Sequence, residues 1–211
     1  MADLLLDEQG KPATPAAGQM ILYPDSGASA FVQLNDAGLV QGDSMRAAVA
    51  QQTGFAVDTY LTNSGLILPS SSMQAGMVFE WLLAAVKTAA GTATPIVQVR
   101  IGAGQSTADT SRLSITMAAQ TAAVDTALLR VLVTCRSVAA SGVIQGLVHT
   151  QHNLAATGFA NTPAGFNLVQ GTSAAFDNTA LGGLYVGLSI NGGASAAWTV
   201  EQVFGRIWYG G

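Results

Sequence analysis

The chain has 211 residues, 49% of them hydrophobic and 9% charged, with a net charge of −4. An average soluble domain carries about 25% charged residues, and a monomer rarely exposes apolar patches above a few hundred Å². The composition therefore excludes an ordinary monomer with a highly charged surface and points to a subunit buried in an assembly. Lys11 and Lys87 are the two lysines, and the six arginines are scattered singly from Arg46 to Arg206. No basic stripe is available to neutralise phosphates, so no nucleic-acid partner is expected. No stretch resembles a membrane span, so no membrane insertion is expected either.

Residues 1–18 read as an N-terminal arm: polar, rich in alanine and proline, with Pro12, Pro15 and Gly18, and too poor in apolar periodicity to pack alone. The opening residues, Met1 to Glu8, are acidic with three leucines in a row, which fits neither a secretory signal nor a transit peptide. Folding in the cytoplasm where the chain is made is expected. Residues 19–53 read as a small β module and connector. Met20 to Tyr23 and Phe31 to Leu34 are its strands, Pro24 to Gly27 and Asn35 to Gly38 its turns. Two such strands are not stable in isolation, so the module is expected to lean on partner chains. Residues 43–53 are expected to form a short connecting helix, capped by Asp43 or Ser44 with Met45 and Val49 on one side.

Residues 54–211 form the main β domain. Runs rich in Val, Ile, Leu and Thr are broken about every ten residues by Gly, Ser, Asn and Asp, the pattern of an antiparallel sandwich or barrel. Strands are expected at 58–62, 65–69, 76–88, 94–102, 110–118, 127–137, 142–150, 165–170, 183–190 and 198–209. The segment 76–88 also carries the Leu, Ala, Met and Glu of a helix former. The turn-like residues before it and the hairpin-like lead into Ile96 to Arg100 favour strand. Residues 121–126 are expected to make a helical turn or a crossover, and the many small side chains let sheets or subunits approach closely.

Few residues offer chemistry. Cys135 is the one cysteine, so no disulfide framework or paired-cysteine zinc site exists, and its apolar run makes it a buried, inert thiol. His149 and His152 are three apart, which on a strand places them on opposite faces, and a zinc site needs three or four ligands. Ordinary strand-end histidines are expected. The glycines of 102–107 lack the Lys-Ser/Thr ending of a phosphate loop and read as a turn. Asp109, Asp125 and Asp177 sit in turn-like surroundings where Asp caps its own backbone. No catalytic residue, cofactor or metal is therefore expected, although a hydrolytic pair among the scattered acids is a third alternative. The aromatics Phe79, Trp81, Trp198, Phe204, Trp208 and Tyr209 are candidates for core packing and for a subunit interface, and exposed aromatics also suit a glycan-binding surface.

The segments 15–27 (PAAGQMILYPDSG) and 34–40 (LNDAGLV) resemble the small β module that precedes the distal domain in tailed-bacteriophage fibre and spike proteins. The segments 75–81 (AGMVFEW), 87–95 (KTAAGTATP) and 121–126 (TAAVDT) resemble jelly-roll domains of phage virion surface proteins. Together these cover most of residues 15–150. The resemblance implies a homotrimeric jelly roll on a virion, assembled in the host cytoplasm, as a tail fibre, spike or capsid decoration. It is expected to dock onto other virion proteins through its arm, with Pro12, Pro15 and Tyr23 as docking residues. The chain is short for a full fibre and lacks a long triple-stranded shaft. A receptor tip for a host-surface glycan is the alternative reading.

Overall fold

The computed structural model describes residues 13, 16, 20–25, 30–35, 40–41, 44–48, 50–69, 72–88, 91–154, 157–159, 166–193 and 198–208. Their regular elements are all strands, and all the pairings between them are antiparallel. β1 (Met20–Asp25), β2 (Ala30–Asn35) and β3 (Val40–Gln41) make a three-stranded sheet of their own. Pro24 and Asp25, expected in the first turn, instead close β1 against Phe31 and Ala30, and Asn35 ends β2 opposite Met20. A proline is tolerated there because β1 lies at the sheet edge.

The remaining strands build a β-sandwich, as the alternating pattern requires. They are β4 (Ser44–Ala48), β5 (Gln52–Thr53), β6 (Thr59–Tyr60), β7 (Leu66–Ile67), β8 (Val78–Lys87), β9 (Ile96–Gly102) and β10 (Thr110–Thr116), followed by β11 (Asp125–Ser137), β12 (Val143–His152), β13 (Phe166–Thr172), β14 (Tyr185–Asn191) and β15 (Trp198–Trp208). One sheet has the order β10-β9-β14-β6, with β7 also on β14. The other runs β13-β12-β11-β8-β15-β4, with β5 also on β15. The nested pairs β8 with β15, β9 with β14 and β11 with β12 combine with a β9–β10 hairpin and a β8–β11 pair to give the sandwich its own strand order.

The segment expected as a helix at 43–53 is two strand pieces instead. Ser44–Ala48 pairs with Ile207 to Val203, and Gln52–Thr53 pairs with Val200 and Thr199. β8 occupies only one side of β15. Its other side offers a row of N–H and C=O groups that must be satisfied, and an eleven-residue helix is marginal by itself. The sandwich thus takes in Ser44–Ala48 and Gln52–Thr53. The same reasoning settles β8, whose helix-forming Leu and Ala are held extended by a ten-residue register on each side, to β11 and to β15. Residues 121–124 form no helical turn: they cross from β10 in one sheet to β11 in the other, and Asp125 and Thr126 already belong to β11.

The core lies between the sheets. From the larger sheet come Phe79, Trp81, Leu83, Leu129, Val131, Val133, Ile144 and Val148, and from the smaller Val97, Val99, Ile101, Leu113, Ile115, Val186, Leu188 and Ile190, all buried. Each fully buried side chain of this kind contributes about 1.5–3 kcal/mol. Trp81 also crosses the gap, its Nε1 donating to the Ser64 carbonyl at 2.7 Å. Small residues permit close approach: a Cβ on Gly146 of β12 would lie 2.6 Å from Leu113 Cδ2 and 3.1 Å from Ile115 Cδ1, both on the opposing sheet. Gly146→Ala should therefore cost about 1–3 kcal/mol by overpacking, read as a lower urea midpoint at unchanged slope.

Candidate subunit interface

Each strand of the seven-stranded sheet turns alternate residues away from the core, and the register aligns them in rows across the outer face. One row runs Gln170, Leu147, Leu132, Glu80, Arg206. The next runs Leu168, His149, Arg130, Leu82, Phe204, and a third Gln151, Leu128, Ala84, Gln202. Leu168 is 62% exposed, Leu128 45% and Trp208 42%, while Leu82, Leu132, Leu147 and Phe204 are half-buried. The face is broad, with apolar and polar residues in equal number along these rows, and strand geometry gives it a footprint of roughly 700 Å².

At its centre sits Glu80, nearly inaccessible to solvent although it points away from the core. Arg130 Nε donates to Oε1 at 2.6 Å from β11, and Arg206 Nε donates to Oε2 at 2.6 Å from β15. Trp208 Nε1 also donates to Oε2 at 3.3 Å, and the Arg206 guanidinium lies 3.9 Å above the Trp208 ring. Burial pushes the Glu80 carboxyl upward, but the hydrogen bonds from Arg206 and Arg130, the charge of Arg130 and the bond from Trp208 outweigh it, leaving the group below its ordinary value. The charges of Glu80, Arg130 and Arg206 are thus already hydrogen-bonded to one another within the chain.

A carboxylate with a lowered folded pKa stabilises the fold above its unfolded pKa, and that contribution is lost as pH falls through the lowered value. Glu80→Gln should cost about 1–2 kcal/mol at neutral pH, after discounting for the partly exposed arginines. The difference from wild type should shrink on acidification below the ordinary carboxylate pKa of 4.5, as read by urea titrations at neutral and acid pH.

A second polar cluster is internal. Asp125 Oδ1 accepts from the N–H of Thr126 at 2.9 Å and of Leu154 at 3.2 Å; Oδ2 accepts from Phe159 N–H at 3.2 Å and lies 3.1 Å from His152 Nδ1. Both side chains of the Asp125–His152 pair are fully buried. Lys87, also buried, donates through Nζ to the carbonyls of Thr121 at 2.5 Å and Ala123 at 3.2 Å. Burial lowers its pKa and the charge of Asp125 opposes that shift. These bonds fasten Thr121, Ala123, Leu154 and Phe159 over the ends of β8, β11 and β12.

Of the aromatics considered for an interface, Phe79, Trp81 and Trp198 lie wholly in the chain's own core, with Phe79 and Trp81 stacked at 6.2 Å. They present no surface to a partner. Phe204 and Trp208 do lie on the outer face, and Tyr209 is outside the described residues. Pro12 and Pro15 are likewise outside them, and Tyr23 stands in β1 opposite Val32.

Cys135 is buried, and burial raises its thiol pKa. His149 and His152 occupy opposite faces of β12, as expected, but His152 has Asp125 as its partner. Asp109 caps the 102–109 turn through Gly104 and Ser106 N–H groups, and Asp177 accepts from Thr179. Asp125 is the exception to this local capping. Among the described residues no three His, Cys, Asp or Glu side chains gather as a metal site, and no helix is long and apolar enough to cross a membrane.

The sequence reading missed Glu80, Arg130 and Arg206 as a unit. Their signal was a set of charges in the outward phase of three apolar strands, Glu80 in β8, Arg130 and Arg136 in β11 and Arg206 in β15. No protein-family model matches the chain, and no curated protein matches it.

Proposed function

We propose that the chain is a nonenzymatic structural component of a tailed-phage virion, a homotrimeric, surface-exposed fibre, spike or head-decoration subunit that docks on other virion proteins through its N-terminal region. The observation that carries this reading is the outer face of the seven-stranded sheet. Its footprint of roughly 700 Å² compares with the about 800 Å² that each partner buries in a standard stable interface. Its central carboxylate, Glu80, is enclosed by two arginines of the same chain, and the exposed Glu201 lies toward one end of the face beside Ala84, Leu128 and Gln151. The occupant of the face is a second copy of this chain.

The copy number of three and the virion setting come from the resemblance of residues 15–150. The three-stranded sheet supports the docking role, because an isolated small sheet needs a further surface to pack on. The nonenzymatic reading is supported by Asp109, Asp125 and Asp177, each already engaged in hydrogen bonds within the fold. Particles purified from the source on a density gradient should contain the chain in a multiple of three copies, counted by quantitative mass spectrometry. Its absence from particles would reject the virion assignment.

A further inference from the structure

We infer that Lys87 and Asp125 are the two halves of an intramolecular isopeptide bond, an amide joining Lys87 Nζ to Asp125 Cγ that the chain forms by itself with His152 as the proton relay. The cluster lies within one chain, so the inference is independent of the assembly proposed above. One of the chain's two lysines is here wholly buried, a position that lysine rarely takes. The antiparallel register of β8 and β11 places it directly opposite Asp125. Side chains so paired have Cβ atoms about 4.5–5.5 Å apart, within the reach of a lysine stem. A swing of that stem carries Nζ from the carbonyls of Thr121 and Ala123, where it now donates, to the carboxyl carbon.

The surroundings supply what a condensation needs. Burial lowers the Lys87 pKa, which favours the neutral amine that attacks as a nucleophile. Asp125 Oδ1 accepts from two backbone N–H groups, Thr126 at 2.9 Å and Leu154 at 3.2 Å. Such a pair of donors steadies an oxyanion as the carbon becomes tetrahedral. Oδ2 lies 3.1 Å from His152 Nδ1. His152 Nε2 is buried with no hydrogen-bond partner among the described residues, which assigns the ring's proton to Nδ1, facing the oxygen that departs. Water is kept away by Trp198, opposite Lys87 in β15, and by Phe159, both buried and meeting edge to face at 4.7 Å.

The step balances as a dehydration. Nζ bonds to Cγ, the Cγ–Oδ2 bond breaks, and two of the three ammonium protons pass by way of His152 to Oδ2, which leaves as water. Oδ1 remains as the amide oxygen, still held by its two N–H donors. Fixing amine and carboxyl side by side in one fold gives the condensation an effective concentration that free groups in water lack.

The test is the intact mass of the purified full chain, followed by tryptic mapping. Counted after any loss of Met1, the mass should fall short of that of the sequence by one water. Trypsin should release residues 47–100, uncut at Lys87, joined to residues 113–130. Lys87→Arg should restore the full mass. His152→Gln, which keeps a donor beside Oδ2 but relays no proton, should slow linkage during refolding at least tenfold. The full sequence mass in the folded wild-type chain would overturn the inference without recourse to any variant. So would a water loss confined to residues 113–130, the mark of an Asp125 succinimide, or linkage at an unchanged rate in His152→Gln.

Discussion

Asp125→Ala should destabilise the sandwich by at least about 4 kcal/mol. The substitution removes the acceptor of three backbone N–H groups, Thr126, Leu154 and Phe159, and the partner of His152. Leaving a buried donor unsatisfied costs about 1–3 kcal/mol, and the substitution does this to several N–H groups at once. Lys87 would lose the carboxylate that opposes its desolvation. Asp125→Asn keeps one carbonyl acceptor and should cost about half as much. Urea denaturation monitored by circular dichroism reads both, and a loss below about 1 kcal/mol for the alanine variant would contradict the structural role given to this cluster. The result also bears on the hydrolase alternative, since an Asp125 variant inactive on a polysaccharide is informative only if it is shown to be folded.

Leu128→Glu combined with Leu168→Glu should convert the proposed trimer to monomers at micromolar concentration while leaving the chain folded. Both leucines point outward, from β11 and β13, and are 45% and 62% exposed. In the free chain the new carboxylates remain in water, where surface changes usually cost within about 0.5 kcal/mol each. Between subunits each would be an unpaired buried charge, costing several kcal/mol, so association should weaken at least about a thousandfold at 1.4 kcal/mol per tenfold. Sedimentation velocity with circular dichroism separates the outcomes. An unchanged mass would remove this face from the interface, and lost dichroism would show that it is needed for folding.

The strands from 58 onward were legible because alternation is a local property: Ala127, Leu129, Val131, Val133 and Cys135 face in along β11, and Thr126, Leu128, Arg130, Leu132 and Thr134 face away. What alternation leaves open is which phase meets the second sheet. Phe79 and Trp81 were seen to share a face, but that this face is the core follows only from the second sheet packing against it. Residues 43–53 read as helix because the free side of β15 is about 150 residues downstream. The Glu80 cluster was invisible for the same reason, with partners 50 and 126 residues away. Asp125 and His152 lie at the first and last positions of adjoining strands, where antiparallel pairing brings them together. The strand pattern contained that juxtaposition, but local turn chemistry was the explanation adopted for Asp125.

The most direct test of the central claim is the solution mass of the purified chain by light scattering, with and without residues 1–18. A mass three times the 21.4 kDa of the chain, kept after truncation, is the predicted result and locates the assembly surface in the β-sandwich. A folded monomer of 21.4 kDa in the intact chain, persisting at high concentration, would contradict it.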